Sequence, residues 1–299
     1  MSTPTTIANL PKEEQEALKA SVFQRLHPRV YLERFLAENV RPDGREFDAW
    51  RPVSVNVGSI STADGSALVR LGDTTVVCGV KAEIAEPELD KPEEGFIVPN
   101  LDLPAMCSPK FKPGPPTEEA QVLSDKLNEA IVTSGLIPLS SLCIHPGKSA
   151  WVLYVDATCI NYDGNAFDAT LIAMVAALKN TKLPEARYEE FEGGSGRTIC
   201  SRKTRKPLSI TCSPIAMSFG IFDSTHILSD PTAFEEPLLD TTLSIVIGDN
   251  DDLISVSQLG LGLGLDSAGS HGQQQDALLA CISAAKKRRT ALAKFIYNT

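Results

Sequence analysis

Residues 151–178, WVLYVDATCINYDGNAFDATLIAMVAAL, decide how this chain folds. Trp151 to Ile160 is rich in aromatic and β-branched side chains and predicts a strand. Asp163-Gly164 predicts a turn. Asp168 to Leu178 predicts a helix that is apolar on nearly every side. A helix without a polar face must be covered all round. A strand that leads into such a helix predicts α/β layering rather than a sandwich.

Working outward, upstream residues supply strands. Val53, Val55 and Val57 alternate with Ser54, Asn56 and Gly58, the period of a strand with one buried face. Ala67–Leu71 and Thr74–Ala85 flank Gly72-Asp73, a short hairpin turn, and the second of these runs is apolar enough for a central strand. Glu86 to Pro116 holds eight prolines and predicts no long regular element. Thr117 predicts the cap of a helix reaching about Ser134, with Ala120, Leu123, Leu127, Ala130 and Ile131 as its apolar stripe. At the amino end, Lys12–Arg25 and Pro28–Glu38 predict two helices, the second with a broad apolar face that must find a partner.

Downstream, residues 185–206 read as a polar connector whose sign flips from EARYEEFE to RTICSRKTRK. Strands are predicted at Leu208–Cys212, Ile215–Phe222 and His226–Leu228, followed by a hairpin of Leu243–Ile247 and Leu253–Val256 around GDNDD. A glycine-rich loop, Gly260–Gly269, leads to a final helix from about Gln274 to Tyr297. The expectation is one α/β unit of two comparable lobes.

Composition narrows the function classes. The 299 residues carry 28 Lys and Arg against 38 Asp and Glu, a net charge of −10. A free-standing protein that grips nucleic-acid phosphates carries the opposite sign. Any basic surface must therefore be local or come from a partner. The seven cysteines have no CxxC spacing, which argues against a zinc module or a disulfide framework. Cys78, Cys159, Cys212 and Cys281 sit in apolar runs and read as core residues. No basic-then-apolar leader and no run of membrane-spanning length is present, so a soluble intracellular protein is expected.

Few residue clusters suggest chemistry. Gly260–Ser270 (GLGLGLDSAGS) is faintly similar to the phosphate-cradling loop of small-metabolite kinases, but Leu265-Asp266 replaces its serine pair and a carboxylate repels phosphate. Asp249, Asp251 and Asp252 read as a solvated hairpin tip. Asp230, with Glu235 and Glu236 nearby, follows a strand end and is a better position for chemistry. Arg202–Lys206 and Lys286–Arg289 read as solvated charge. His27, His145, His226 and His271 show no metal-ligand spacing and read as surface or capping residues.

Longer strings go further. RPDGR (41–45), ISTADGSALVRLGDTTVVCGVKAE (60–83), VPNLDLP (98–104), PGPPTEEAQ (113–121), HPGKSAWVLYVDATCINYDGNAFDAT (145–170) and SDPTAFEE (229–236) together resemble the RNase PH family, over nearly the whole chain and in the right order. Within that family the chain is most similar to the non-catalytic branch that builds the exosome ring.

The resemblance implies a two-lobed RNase PH fold with mixed sheets flanked by helices. A helical extension would cover 1–40 and an RNase PH-like domain 41–299, with lobes at about 41–183 and 207–299 joined by the 185–206 connector. In catalytic members a GGTR- or GGSR-type segment grips inorganic phosphate, and a DxD-type pair of aspartates holds a divalent metal or assists attack. Here Asn165, Ala166 and Phe167 fill the first segment, with Ala166 at the hydroxyl's position and Phe167 at the arginine's. In the second, Asp230 remains while Thr232 replaces its partner. An apolar ring cannot make a bidentate charge-assisted contact. The resemblance thus implies a degenerate phosphate site, a degenerate metal site, no catalytic residue, no metal and no cofactor.

It further implies ring neighbours of the same family, an RNA-binding cap subunit, associated nucleases and single-stranded RNA in a shared channel, with no membrane or DNA partner. Lys110 and Lys112 are the candidate channel contacts. Nucleus, nucleolus and cytoplasm are the implied compartments. An active phosphate-dependent 3'-to-5' exoribonuclease is the alternative.

Overall fold

Val53–Val57 (β1), Gly65–Leu71 (β2) and Thr74–Ala85 (β3) form an antiparallel meander in the computed structural model, which describes residues 12–190, 196–223, 225–260 and 271–297. Ser149–Asn161 (β6) pairs antiparallel to β3, and Phe96–Asp102 (β4) closes the far edge parallel to β6. The order is β1-β2-β3-β6-β4, with Cys143–His145 (β5) on the end of β6, so β3 is central as its apolar run required. Alternation decides the faces. Val76, Cys78 and Val80 of β3 and Leu153, Val155, Ala157 and Cys159 of β6 point to the core, while Lys81, Glu83, Tyr154 and Asp156 do not.

A second, antiparallel sheet has the order β10-β9-β11-β12, from Ile215–Phe222 (β9), His226–Ser229 (β10), Thr241–Ile247 (β11) and Leu253–Gly260 (β12). Ala166–Asn180 (α4) lies between the sheets, against β1, β2, β3 and β6 on one side and β9 on the other. That explains its sequence: every residue from Ala166 to Leu178 is buried. Each large aliphatic side chain covered there contributes about 1.5–3 kcal/mol. Glu118–Ser134 (α3) packs on β4 and β12, and His271–Tyr297 (α5) on β1, β9 and β11. All three helices therefore contact both sheets. Thr117 caps α3 by accepting from the Ala120 N–H, as predicted.

Lys12–Leu26 (α1) and Pro28–Ala37 (α2) open the described chain. The apolar face of α2 lands on the second sheet: Leu32 and Leu36 pack with Phe222 and Leu228. Among the described residues no helix is long and apolar enough to cross a membrane.

Several expectations change. The polar connector is an antiparallel ribbon of Lys182–Glu190 (β7) and Gly196–Pro207 (β8), so the sign flip along the sequence is two facing strands of different charge. Leu208–Cys212 forms no strand. Pro207 and Pro214 bracket it, and its N–H groups serve as ties, Leu208 to Thr181 O and Thr211 to Leu136 O. The proline-rich segment does hold one strand, β4. Pro99 is tolerated there because β4 is an edge.

Arg288 and Arg289 are not simply solvated. Arg288 lies over Trp50 and donates to Arg51 O, and Arg289 is buried and pairs with Asp251 and Asp249 of the hairpin tip. The helix needs that side for packing, and carboxylates at the tip compensate the buried guanidinium. Cys78, Cys159 and Cys281 are buried and Cys212 half-buried. The glycine-rich loop beyond Gly260 lies outside the described residues.

Candidate functional site

The turn between β6 and α4 carries the residues on which a phosphate site would have to be built. Gly164 adopts φ +80°, and a Cβ there would lie 2.5 Å from Ala233 N and 2.7 Å from Pro231 O. The 230–233 loop thus rests directly on the turn's backbone, which only glycine allows. Asn165 follows at φ +52° and Asp230, across from it, sits at φ +51°. Asx side chains tolerate this region better than other residues. The Asn165 amide joins the two segments, its Nδ2 donating to Asp168 Oδ2 at 2.8 Å and to Asp230 Oδ1 at 2.7 Å.

Asp230 is fully buried, and its acceptor positions are already used. Arg51 donates to Oδ1 through Nη2 at 2.7 Å, and to Oδ2 through Nε at 2.8 Å and its backbone N–H at 3.1 Å. Arg45 reaches Oδ2 at 3.4 Å. Burial raises the carboxyl's pKa, but the Arg51 hydrogen bonds and charge outweigh it, and the net direction is down. A carboxylate holds about four lone-pair contacts, so Asp230 has none to spare for a cation.

Thr232 is committed as well. Its N–H and Oγ1 donate to Glu235 Oε2 at 2.9 and 3.1 Å. Glu235 takes a bidentate contact from the fully buried Arg41, with Nε to Oε1 at 2.9 Å. The residues present do not fit a divalent metal, and among the described residues no group of three potential ligands is close enough to hold one.

The amino end of α4 is where backbone N–H groups would face an anion. Glu236 is there instead. Its Oε1 accepts from the Asn165 N–H at 2.7 Å and its Oε2 from the Tyr162 hydroxyl. Burial raises the Glu236 pKa despite these two donors. A cavity of ≈ 900 Å³ opens over this end. Phe167 lines it with a buried, apolar ring, and Ala166 offers no hydroxyl. Lys110 is at its edge, held by Glu119 at 2.8 Å and lying 5.2 Å over the Tyr162 ring. Lys112 is exposed.

The structure therefore brings Asn165, Ala166, Phe167 and Asp230 together, with Thr232 in the loop that rests on Gly164 and Lys110 at the rim. Sequence reading missed the partners. Arg41, Arg45 and Tyr162 stand in quoted strings without an assigned role, and Arg51 has no signal of its own. Glu235 and Glu236 stand in an acidic cluster and at the end of the 229–236 string, again without an assigned role. An arginine in a stretch otherwise half-buried is a signal for a buried carboxylate partner, but it does not say which one.

With this geometry in place, comparison with known proteins is direct. Residues 49–184 match the model of the 3' exoribonuclease family, domain 1, and residues 212–288 that of its domain 2. The chain belongs to the 3' exoribonuclease family. The family relatives include the exosome complex component rrp43 of Schizosaccharomyces pombe, 43% identical over 83% of this chain and 90% of that protein.

Among solved members of the family, the Archaeoglobus fulgidus exosome with RNA bound to the active site contains a similar chain. Its TM-score is 0.73 and its identity 35%, over 88% of this chain and 97% of that one. An archaeal exosome core has a TM-score of 0.71 and 32% identity, covering 93% and 99%. The mixed α and β architecture described above is thus the RNase PH fold that the sequence strings implied.

Proposed function

We propose that this protein is a non-catalytic subunit of the six-membered RNase PH-like ring of the RNA exosome, helping to form the channel for single-stranded RNA in 3'-to-5' processing and decay. Its similarity to an exosome component and to archaeal exosome cores supports membership of the ring. Ring subunits of the same family, an RNA-binding cap subunit and associated nucleases would be its partners. Nucleus, nucleolus and cytoplasm would be its compartments. The chain would act as two lobes, about 41–183 and 207–299, behind a helical extension.

One observation carries the non-catalytic half of this reading: the Glu236 carboxylate bonded to the Asn165 N–H at the start of α4. An attacking phosphate would have to displace a covalently tethered anion and then do without an arginine, because Phe167 fills that place. Loss of preorganised charge around a transferring phosphoryl group costs orders of magnitude in rate. Asp230, in this proposal, has become a structural tie between the lobes through Arg51, and Thr232 braces the loop that carries Glu235. Lys112 is the freer of the two channel-contact candidates. For Lys110 a contact with RNA competes with Glu119.

Purified chain incubated with single-stranded RNA, magnesium and phosphate should release no nucleoside diphosphates, and sustained release overturns the non-catalytic assignment. Affinity purification from cells should recover other ring subunits and the cap; their absence overturns ring membership.

A further inference from the structure

The acidic composition left one question open, namely where a local basic surface could lie. The β7–β8 ribbon answers it. β8 carries five Lys or Arg and no acid in twelve residues, and β7 two cations and three Glu in nine. In a chain of net charge −10 this is a cationic island. It springs from the carboxyl end of α4, the far end of a fifteen-residue helix from the Glu236 site, roughly 22 Å away along the axis. Residues 185–207 also fall between the two family-model matches, which end at 184 and resume at 212. Whatever the ribbon does is additional to the site at the other end.

We propose that this ribbon is a second RNA-binding site, which holds the phosphate backbone of single-stranded RNA on cationic side chains.

Among the described side chains, its cations point outward. Arg187 is 80% exposed, Lys206 71% and Arg205 53%. Their ion pairs, Arg187 with Glu185 at 3.8 Å, Lys206 with Glu185 at 3.1 Å and Arg205 with Asp64 at 3.4 Å, are of the exposed kind that phosphates readily replace. The ribbon is also anchored by packing. Tyr188 covers Gly196 so closely that a Cβ there would lie 2.5 Å from its ring, and its centroid is 4.9 Å from that of His145. Glycine shielded by a cross-strand aromatic is a device that pins a ribbon's register. An anchored arm loses less entropy on binding than a loop.

Two other uses of such a strand fit less well. Charges on an edge strand prevent edge-to-edge aggregation, but either sign serves that end and β8 uses one only. An acidic peptide could add to the free edge of β8 as a further strand. The ladder is broken, however, where Ser201–Thr204 bulge opposite the single residue Glu185. There Ser201 Oγ accepts from the N–H groups of Lys203 and Thr204. Recognition must then go through side chains, which suits a polyanion of regular charge. The choice of RNA among such polyanions rests on the ring reading.

The test uses the full chain and a fluorescent single-stranded oligouridylate, with anisotropy read from 50 to 200 mM salt. The triple variant Arg187→Ala, Lys203→Ala, Lys206→Ala should melt like the parent. It should bind at least tenfold more weakly at low salt, and its slope of log affinity on log salt should fall by about 2, at ~0.7 per lost phosphate contact. Equal affinity and slope, or no RNA binding by the parent chain, overturns the proposal. So does poly-glutamate binding that exceeds RNA binding and is lost in the same variant. Ring membership is read separately, from co-purification of the unmodified chain.

Discussion

The two ends of α4 use charge in opposite ways. At its amino end Asp168, Asp230, Glu235 and Glu236 meet Arg41, Arg51, Asn165 and Tyr162, most of them buried and nearly every donor matched to an acceptor. At its carboxyl end Arg187 and Lys206 of the β7–β8 ribbon stand in solvent, each paired with Glu185. Charge turned inward has become architecture, because a buried pair that loses one member leaves the other uncompensated. Charge turned outward costs little to keep and is free to meet a partner. On the proposed reading, a family site loses its chemistry while its residues stay indispensable.

Breaking the inward set should give the largest effect. Arg51→Ala removes the main partner of a fully buried carboxylate and should destabilise the chain by about 3–5 kcal/mol, measured by urea unfolding. A loss below about 1 kcal/mol would mean that Asp230 is held by something else.

The next effect concerns pH. Burial raises the Asp168 carboxyl from 3.8 to about 6, although Ser218 and Asn165 donate to it. Its contribution to stability is fully present below the unfolded value and is lost as pH rises through about 6. Asp230 works with the opposite sign: its lowered pKa gives stability that is lost on acidification below the usual carboxylate range. Asp168→Asn keeps an acceptor for Ser218 N and Asn165 Nδ2. It should therefore flatten the loss between about pH 4 and pH 6, by an amount on the order of 2 kcal/mol. Parallel stability curves for the two proteins would show that Asp168 titrates normally.

The smallest effect sharpens the contrast. Glu236→Ala removes the internal anion from the start of α4. Orthophosphate near its dissociation constant should then raise the melting temperature by about 1 °C, with no shift in the parent and still no nucleoside diphosphate release. An equal response in both proteins would mean that Glu236 does not occupy the anion's place.

How much of this was legible beforehand varies with the range of the interaction. Val76, Cys78 and Val80 alternate, so β3 could be read as a strand. Thr117 before Glu118-Glu119 marks a helix start. Phe167 in place of a cation is visible in the letters once the family resemblance is drawn. The ribbon was harder to see. Pro184, Gly193, Gly194 and runs of charge suggest a connector, because pairing between Arg187 and Ile199 depends on a partner strand and not on local pattern. Arg289 was misjudged for a related reason. Four consecutive cations on a helix must cover every face, and which of them turns inward depends on where Asp249 and Asp251 arrive from another hairpin.

Periodicity and apolar run length were enough to establish that α4 is the covered centre of a layered fold, and residue identity at 166 and 167, set beside the family resemblance, was enough to propose that a phosphate grip is missing. Neither could say what fills the gap. Asp230 finds Arg51 across 179 residues, and Glu236 finds the Asn165 N–H across 71. Those meetings occur only when two sheets close on the same helix. Hydrogen bonds and ion pairs act over a few ångströms, so partners far apart in the chain leave no mark on each other's neighbours and are chosen by packing alone.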